Sequence, residues 1–385
     1  MSFSANPPPA VLAPNLGYSE IRPGFARRWR NAVKNVRNGT ANARVLLMGH
    51  SVLAGAGEGT SGSFNYVGAA TRGFHSRLPI AELPYRYTSY CGCQKVNAQQ
   101  SFATYDPRFT LSGGATVYND GTCLSGDMLS TTNGASGTIA FTPGTSFDRV
   151  EVFYLTNPGN SAAVVSAGAD TLATLTGNQS LALRTTGVLN CSALRTSVTI
   201  AIDNSGTYGL PIQAIVTWDS SKKEVQVISA GWAGGTIANL ADASANYASA
   251  NAIATINPDL VVIVGATLND ATNGTAAATW KASAQGLITK IRGTAGADVA
   301  WVTDMNVEAD SSNANNLTLQ QTARTLCIEN GLSVLDMHER WRPRATWAPS
   351  GTYYYDARHP TYAGGTDWAA VIGRYLRLIA EGQAD

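Results

Sequence analysis

The sequence predicts an α/β domain built on a five-stranded parallel sheet and interrupted by an inserted all-β sandwich. Three observations carry this expectation. Five short apolar, β-branched runs, Val45–Met48, Val225–Ser229, Leu260–Val264, Val299–Thr303 and Ser333–Leu335, have the continuous hydrophobicity of strands covered on both faces. Helical periodicity lies between the later runs. Between the first and second runs, the pattern switches to period two over roughly 120 residues.

Taken in order, residues 1–20, with Pro7, Pro8 and Pro9, read as an extended N-terminal arm. The arm has no basic segment leading into an apolar one, so no signal peptide is expected there. The first strand opens the α/β domain, assigned to residues 21–100 and 222–385. The stretch from Ser101 to Ser221 has no Lys and no helical period. Val150, Val152 and Tyr154 alternate with other residues, as do Val198, Ile200 and Ile202, and then Ile212, Ala214, Val216 and Trp218. Turn clusters such as Asn157-Pro158-Gly159-Asn160 separate these runs, which reads as a sandwich. A surface loop tolerates such an insert when the ends of the insert lie close together. Beyond it, Trp280, Leu287, Ile288 and Ile291 share one helical face, as do Leu319, Ala323, Leu326 and Cys327. Trp368, Val371, Ile372, Tyr375, Leu376 and Ile379 mark the last helix.

Composition bounds the function. The 385 residues are 44% hydrophobic, enough for sizeable cores, and only 14% charged. With 27 basic and 26 acidic side chains, the net charge of +1 argues against a nucleic-acid or membrane-surface binder. No apolar run is long enough to span a membrane. The five cysteines, Cys91, Cys93, Cys123, Cys191 and Cys327, form no CxxC pair, so no zinc site of that type is expected. Cys327 falls on an apolar helical face and reads as a packed thiol. A Cys123–Cys191 bridge is left open.

The residues able to do chemistry gather at strand ends. In Asp356-Ala357-Arg358-His359-Pro360, an Asp three residues before a His can fold back and accept the imidazole Nδ1–H, leaving Nε2 as a base. Alone, this is as consistent with an ordinary turn. Gly49-His50-Ser51 follows the first strand, where ligands bind in open α/β sheets. Ser51 there is either a helix cap or a nucleophile. Gly231-Trp232-Ala233-Gly234-Gly235-Thr236 follows the second strand and can present a backbone N–H to an anion, or serve as a plain turn. Leu268-Asn269-Asp270 follows the third, where an Asn amide can donate to an oxyanion, or simply form a turn. No GxSxG elbow occurs.

Taken together, the four motifs resemble the SGNH hydrolase (GDSL esterase) family. Its Gly-Asp-Ser block corresponds to Gly49-His50-Ser51, followed by Gly55; its Gly-x-Ser-Gly-Asp-Thr block to Gly231–Thr236; its Gly-x-Asn-Asp block to Thr267–Asp270; and its Asp-x-x-His-Pro block to Asp356–Pro360. The departures are His50 for Asp and Thr267 for Gly. The resemblance covers about residues 21–100 and 222–380. It implies a flavodoxin-like three-layer sandwich with Ser51 as nucleophile, His359 as base and Asp356 orienting it. It also implies an oxyanion hole from the Ser51 and Gly234 N–H groups and the Asn269 amide. His50, Trp232 and Asp270 are expected beside the substrate, and His75 and His338 are expected to be structural or on the surface.

The expected function is a serine esterase, with no metal and no cofactor, whose rate rises with pH through roughly 6–8 as its base becomes neutral. The insert looks like a carbohydrate-binding domain, with Tyr105, Tyr118, Phe153, Tyr154 and Tyr208 as candidate stacking residues. The expected partner is therefore an acetylated polysaccharide or another ester, with no nucleic acid, and an oligomer is compatible with the sequence. A low-Lys, Gly-, Ala-, Asn- and Thr-rich chain resembles phage tail-associated esterases, which suggests an extracellular or virion-associated setting. A lipase or thioesterase of the same family and a non-catalytic glycan-binding or structural protein are the alternatives.

Overall fold

The structure is a computed structural model that describes residues 19–20, 26–59, 67–78, 85–87, 89–91, 102–305, 313–341 and 353–382. Residues 1–18 of the expected arm and Cys93 lie outside the described residues. The five apolar runs form strands β1 (Ala43–Gly49), β2 (Val225–Gly231), β3 (Leu260–Val264), β4 (Asp298–Val302) and β5 (Ser333–Leu335). All five are parallel, in the spatial order 2-1-3-4-5. Two two-residue strands widen the sheet. Ser19–Glu20 runs antiparallel along β5, and Tyr85–Arg86 runs parallel along β2. Pairings this short leave no periodic trace in a sequence.

Successive strand residues point to opposite faces. Val45, Leu47, Val262 and Val302 pack with helices α1 (Arg27–Arg37) and α5 (Tyr362–Glu381). Leu46, Met48, Val261, Ile263 and Trp301 pack with α2 (Ser249–Ile256), α3 (Ala277–Lys290) and α4 (Asn313–Asn330). Each such side chain is fully buried, which stabilises the fold by ~1.5–3 kcal/mol apiece. This double burial is why the strands read as unbroken apolar runs. In a 2-1-3-4-5 sheet the chain reverses its winding direction at β1, and the carboxyl ends of the strands at such a reversal are where ligands bind in open α/β folds.

Between Tyr85–Arg86 and β2 the chain forms two further sheets, whose strands pair antiparallel. One sheet runs Asp170–Thr176, Ala162–Ala167, Val198–Ile202, Gly137–Phe141, Phe109–Gly113. The other runs Ala182–Thr185, Phe147–Thr156, Ile212–Trp218, Asp127–Thr131, Ala115–Asn119, with Leu189–Arg195 and Ser89–Cys91 paired onto it. Ile139, Val165 and Ile200 of the first sheet share a buried cluster with Val150, Val152 and Ile215 of the second.

Several expectations change here. Antiparallel pairing starts at Ser89–Cys91, upstream of residue 101, because Cys91 lies opposite Ala214. Phe102–Tyr105 forms one helical turn in a stretch read as free of helix. The alternation over Ile212, Ala214, Val216 and Trp218 does not mark one face. A register shift between Ile212 and Ala214 sends Ile212 and Ile215 into the antiparallel core and turns Ala214, Val216 and Trp218 toward the α/β core. Tyr105 and Phe153 are buried and Tyr154 is half-buried, so of the five candidate stacking aromatics only Tyr118 and Tyr208 are exposed. Cys123 and Cys191 are not bridged; each keeps a reduced thiol, in a different apolar cluster. His75 and His338 are both buried.

Candidate active site

Ser51 stands two residues beyond the end of β1, at the winding reversal of the sheet. It is 6% exposed and its Oγ lies 2.9 Å from Nε2 of His359. The opposite ring nitrogen, Nδ1, lies 2.9 Å and 3.1 Å from the two carboxylate oxygens of Asp356. The Asp356 carboxylate also accepts the backbone N–H groups of Arg358 at 2.6 Å and His359 at 2.8 Å. These two bonds fold the pentapeptide back on itself, so the i to i+3 contact follows from local turn geometry. Partial burial pushes the Asp356 carboxyl up, but the His359 ring and the two backbone donors outweigh it and hold Asp356 below the usual carboxylate value.

The two loops meet at Gly57. Its φ is +82°, and a β-carbon there would sit 2.4 Å from the Pro360 carbonyl oxygen and 3.3 Å from the His359 β-carbon. Only glycine suits both the left-handed backbone and the close approach. Val52 and Leu53 belong to the α/β core, whereas Ala54 and Ala56 lie in the buried cluster of the antiparallel sheets. The turn that presents Ser51 is thus gripped by both cores.

The other sequence-predicted residues converge on the same end of the sheet. Gly234 is exposed, in the turn after β2. Asn269 lies in the short helix Leu268–Thr272 after β3, and its side-chain amide donates to the Gly235 carbonyl at 2.8 Å, tying the β2 and β3 exits together. Trp232 and Asp270 are buried supports rather than open walls. The Trp232 ring is packed against Gly126 and Gly235. The Asp270 carboxylate caps the helix Ile237–Leu240 by accepting the Ile237 N–H at 2.8 Å, and burial pushes its carboxyl up.

His50 is buried too, and it faces a residue that sequence reasoning missed. Its Nε2 lies 2.5 Å from Oδ1 of Asp304, just past the end of β4. The other Asp304 oxygen accepts the Thr267 N–H at 2.9 Å, the Thr267 hydroxyl at 2.6 Å and the Leu268 N–H at 3.0 Å. Burial pushes this carboxyl up, but His50 and these donors outweigh it and keep it below its ordinary value. The available signal was an Asp directly beyond an apolar strand, in Trp301-Val302-Thr303-Asp304. Among the described residues no group of three or more His, Cys, Asp or Glu could hold a metal ion, and no helix is long and apolar enough to cross a membrane.

The arrangement places a hydroxyl on a carboxylate-oriented imidazole, beside exposed backbone at a sheet edge, which is the equipment for acyl transfer. Comparison with known proteins bears on this geometry. Residues 211–365 match the GDSL-like lipase/acylhydrolase family, a span that includes Gly234, Asn269, Asp356 and His359 but not Ser51. No curated protein matches the chain. Among solved structures, one described as a peptidoglycan O-acetylesterase in action overlays with a TM-score of 0.68 at 16% identity, over 92% of this chain and 97% of that one. That is a likeness of fold, and it runs over most of the molecule. An acetyl xylan esterase (TM-score 0.34, 19% identity, 39% of this chain and 80% of that one) overlays loosely. So does an acetylxylan esterase of Geobacillus stearothermophilus (0.33, 18%, 40% and 73%).

Proposed function

We propose that this chain, whose residues 211–365 match the GDSL-like lipase/acylhydrolase family, is a serine esterase of the SGNH type whose nucleophile is Ser51. The observation that carries the reading is the unbroken contact series Ser51 Oγ, His359 Nε2, His359 Nδ1, Asp356. In this scheme Ser51 Oγ attacks the ester carbonyl carbon and passes its proton to His359 Nε2. Asp356 holds the imidazole in the tautomer with Nδ1 protonated and stabilises the imidazolium that forms. The Ser51 and Gly234 N–H groups and the Asn269 amide, whose second hydrogen is not used by Gly235, receive the oxyanion. His359 then protonates the leaving alkoxide. Water, deprotonated by the same imidazole, frees the acid and restores Ser51.

The proposed substrate is an O-acetyl group on a polysaccharide. What supports it is a nearly neutral, sparsely charged chain and two exposed tyrosines, Tyr118 and Tyr208, in the antiparallel region. Tyr118 neighbours Asp120, whose carboxylate accepts the Tyr247 hydroxyl at 3.1 Å. An aromatic face beside a hydrogen-bonding carboxylate suits a sugar ring. The likeness of fold to a peptidoglycan O-acetylesterase accords with this reading. We assign residues 21–100 and 222–385 to catalysis, 101–221 to a sandwich that holds the glycan, and the site of action to the cell exterior or a virion.

The test is acetate release from an acetylated polysaccharide and from a short acyl ester. Ser51→Ala is expected to lower kcat by about 10⁴-fold or more with the fold retained. Equal turnover by wild type and Ser51→Ala overturns the mechanism. Preference for long acyl chains or thioesters over acetyl esters overturns the substrate but leaves the nucleophile standing.

A further inference from the structure

Resting on that reading, we propose that His50 and Asp304 form a brace that sets the spacing between two of the three strand exits carrying the oxyanion donors, those after β1 and β3. His50 directly precedes Ser51 and belongs to the loop after β1. Thr267 and Leu268 directly precede Asn269 and are the N-cap and first residue of the short helix after β3. One buried carboxylate, Asp304, accepts from both: His50 Nε2 on one oxygen, and the Thr267 N–H, Thr267 hydroxyl and Leu268 N–H on the other. The Val52 N–H reaches His50 Nδ1 at 3.3 Å, which leaves the proton on Nε2, facing Asp304. A hydrogen bond of this kind between buried groups is strong, and it tolerates little change in length.

The space for the pair is reserved by the backbone. A β-carbon at Gly265 would fall 2.4 Å from Asp304 Oδ1 and 2.6 Å from His50 Nε2. The imidazole therefore does more than fill the place of the aspartate in the family's first block. It reaches across β3 to a carboxylate supplied by the end of β4. The chain thus holds two imidazole–carboxylate pairs beside one serine. His359–Asp356 acts on the hydroxyl, and His50–Asp304 acts on the position of the backbone that carries it. His50 and Asp304 touch no reacting atom in this scheme and are positioning residues. A donor displaced by a fraction of an ångström from the oxyanion weakens the transition state more than the ground state, so the effect belongs in kcat rather than KM.

The experiment uses the full chain and three variants, Asp304→Asn, His50→Asn and His50→Gln. Asp304→Asn and His50→Asn are expected to lower kcat on a short acetyl ester roughly 10- to 100-fold, with KM within about threefold. His50→Gln, whose side-chain amide extends to the position of Nε2, should lose less than about fivefold, because it restores the donor. Amide hydrogen exchange should quicken in both loops together, residues 51–54 and 267–269, in Asp304→Asn. A folded Asp304→Asn with wild-type kcat, a His50→Gln as impaired as His50→Asn, or faster exchange in one loop only overturns the brace. If Asp304→Asn does not fold, the comparison of His50→Gln with His50→Asn decides. If the wild type neither hydrolyses esters nor reacts with a serine-directed phosphonate, the esterase reading falls by itself, and the exchange pattern still decides the brace.

Discussion

His75 shows how a single side chain couples this fold to pH. It is fully buried, with Nε2 3.2 Å from the Ala70 carbonyl and an edge-on contact to Tyr87. Burial lowers its pKa from 6.5 to about 4, against the pull of the Ala70 and Leu53 carbonyls. The unfolded chain therefore binds this proton more readily than the folded chain between those values. Stability is complete above the unfolded value of 6.5 and is lost as pH falls toward 4, by about 3 kcal/mol in all. Urea unfolding at pH 7 and pH 4.5 should show this loss in the wild type and a smaller one in His75→Gln. The same loss in both proteins would assign the acid sensitivity to other groups. At this scale the legibility of the site follows sequence distance. Asp356 and His359 are three residues apart, so one turn declares their contact. His50 and Asp304 are 254 residues apart, and their pairing emerges only once β1, β3 and β4 are neighbours.

Among the elements, the turn through Gly57 is tightly constrained. It has to be left-handed and must let the Pro360 carbonyl approach. Gly57→Ala is expected to cost about 1–2 kcal/mol from the backbone alone. Its β-carbon should also push the Ser51 and His359 loops apart, which lowers kcat more than it raises KM. Chemical denaturation and steady-state kinetics on the same variant measure both effects; unchanged kcat would show that the loops yield without losing their contact. Elsewhere, elements were readable where burial is uniform. The five parallel strands are apolar on both faces, and α5 presents one continuous stripe, so their patterns survive. Ile212–Trp218 is buried on both faces as well, but a register shift breaks its phase, and a two-residue period cannot report a bulge. The single turn Phe102–Tyr105 is too short to have a period at all.

For the molecule as a whole, sequence rhythm separated the antiparallel region from the α/β domain but hid how closely they join. Ala214, Val216, Trp218 and Phe153 pack into the core formed with α2, α3 and α4, and Ser89–Cys91 pairs into the antiparallel sheet from outside the expected insert. No local pattern encodes a contact between two cores. The turn after Ser51 belongs to both of them, with Val52 and Leu53 in one and Ala54 and Ala56 in the other. In kinetic terms, the nucleophile receives its setting only after both cores have closed, whichever closes first. Activity recovered on refolding should therefore lag the first rise in tryptophan fluorescence and follow the slower of the two phases. Ester hydrolysis that returned with the faster phase would show that one core is enough to shape the turn. Until the slower phase ends, a chain with a complete parallel sheet is well ordered but inert, and hydrolysis reports that the last part of the chain has folded.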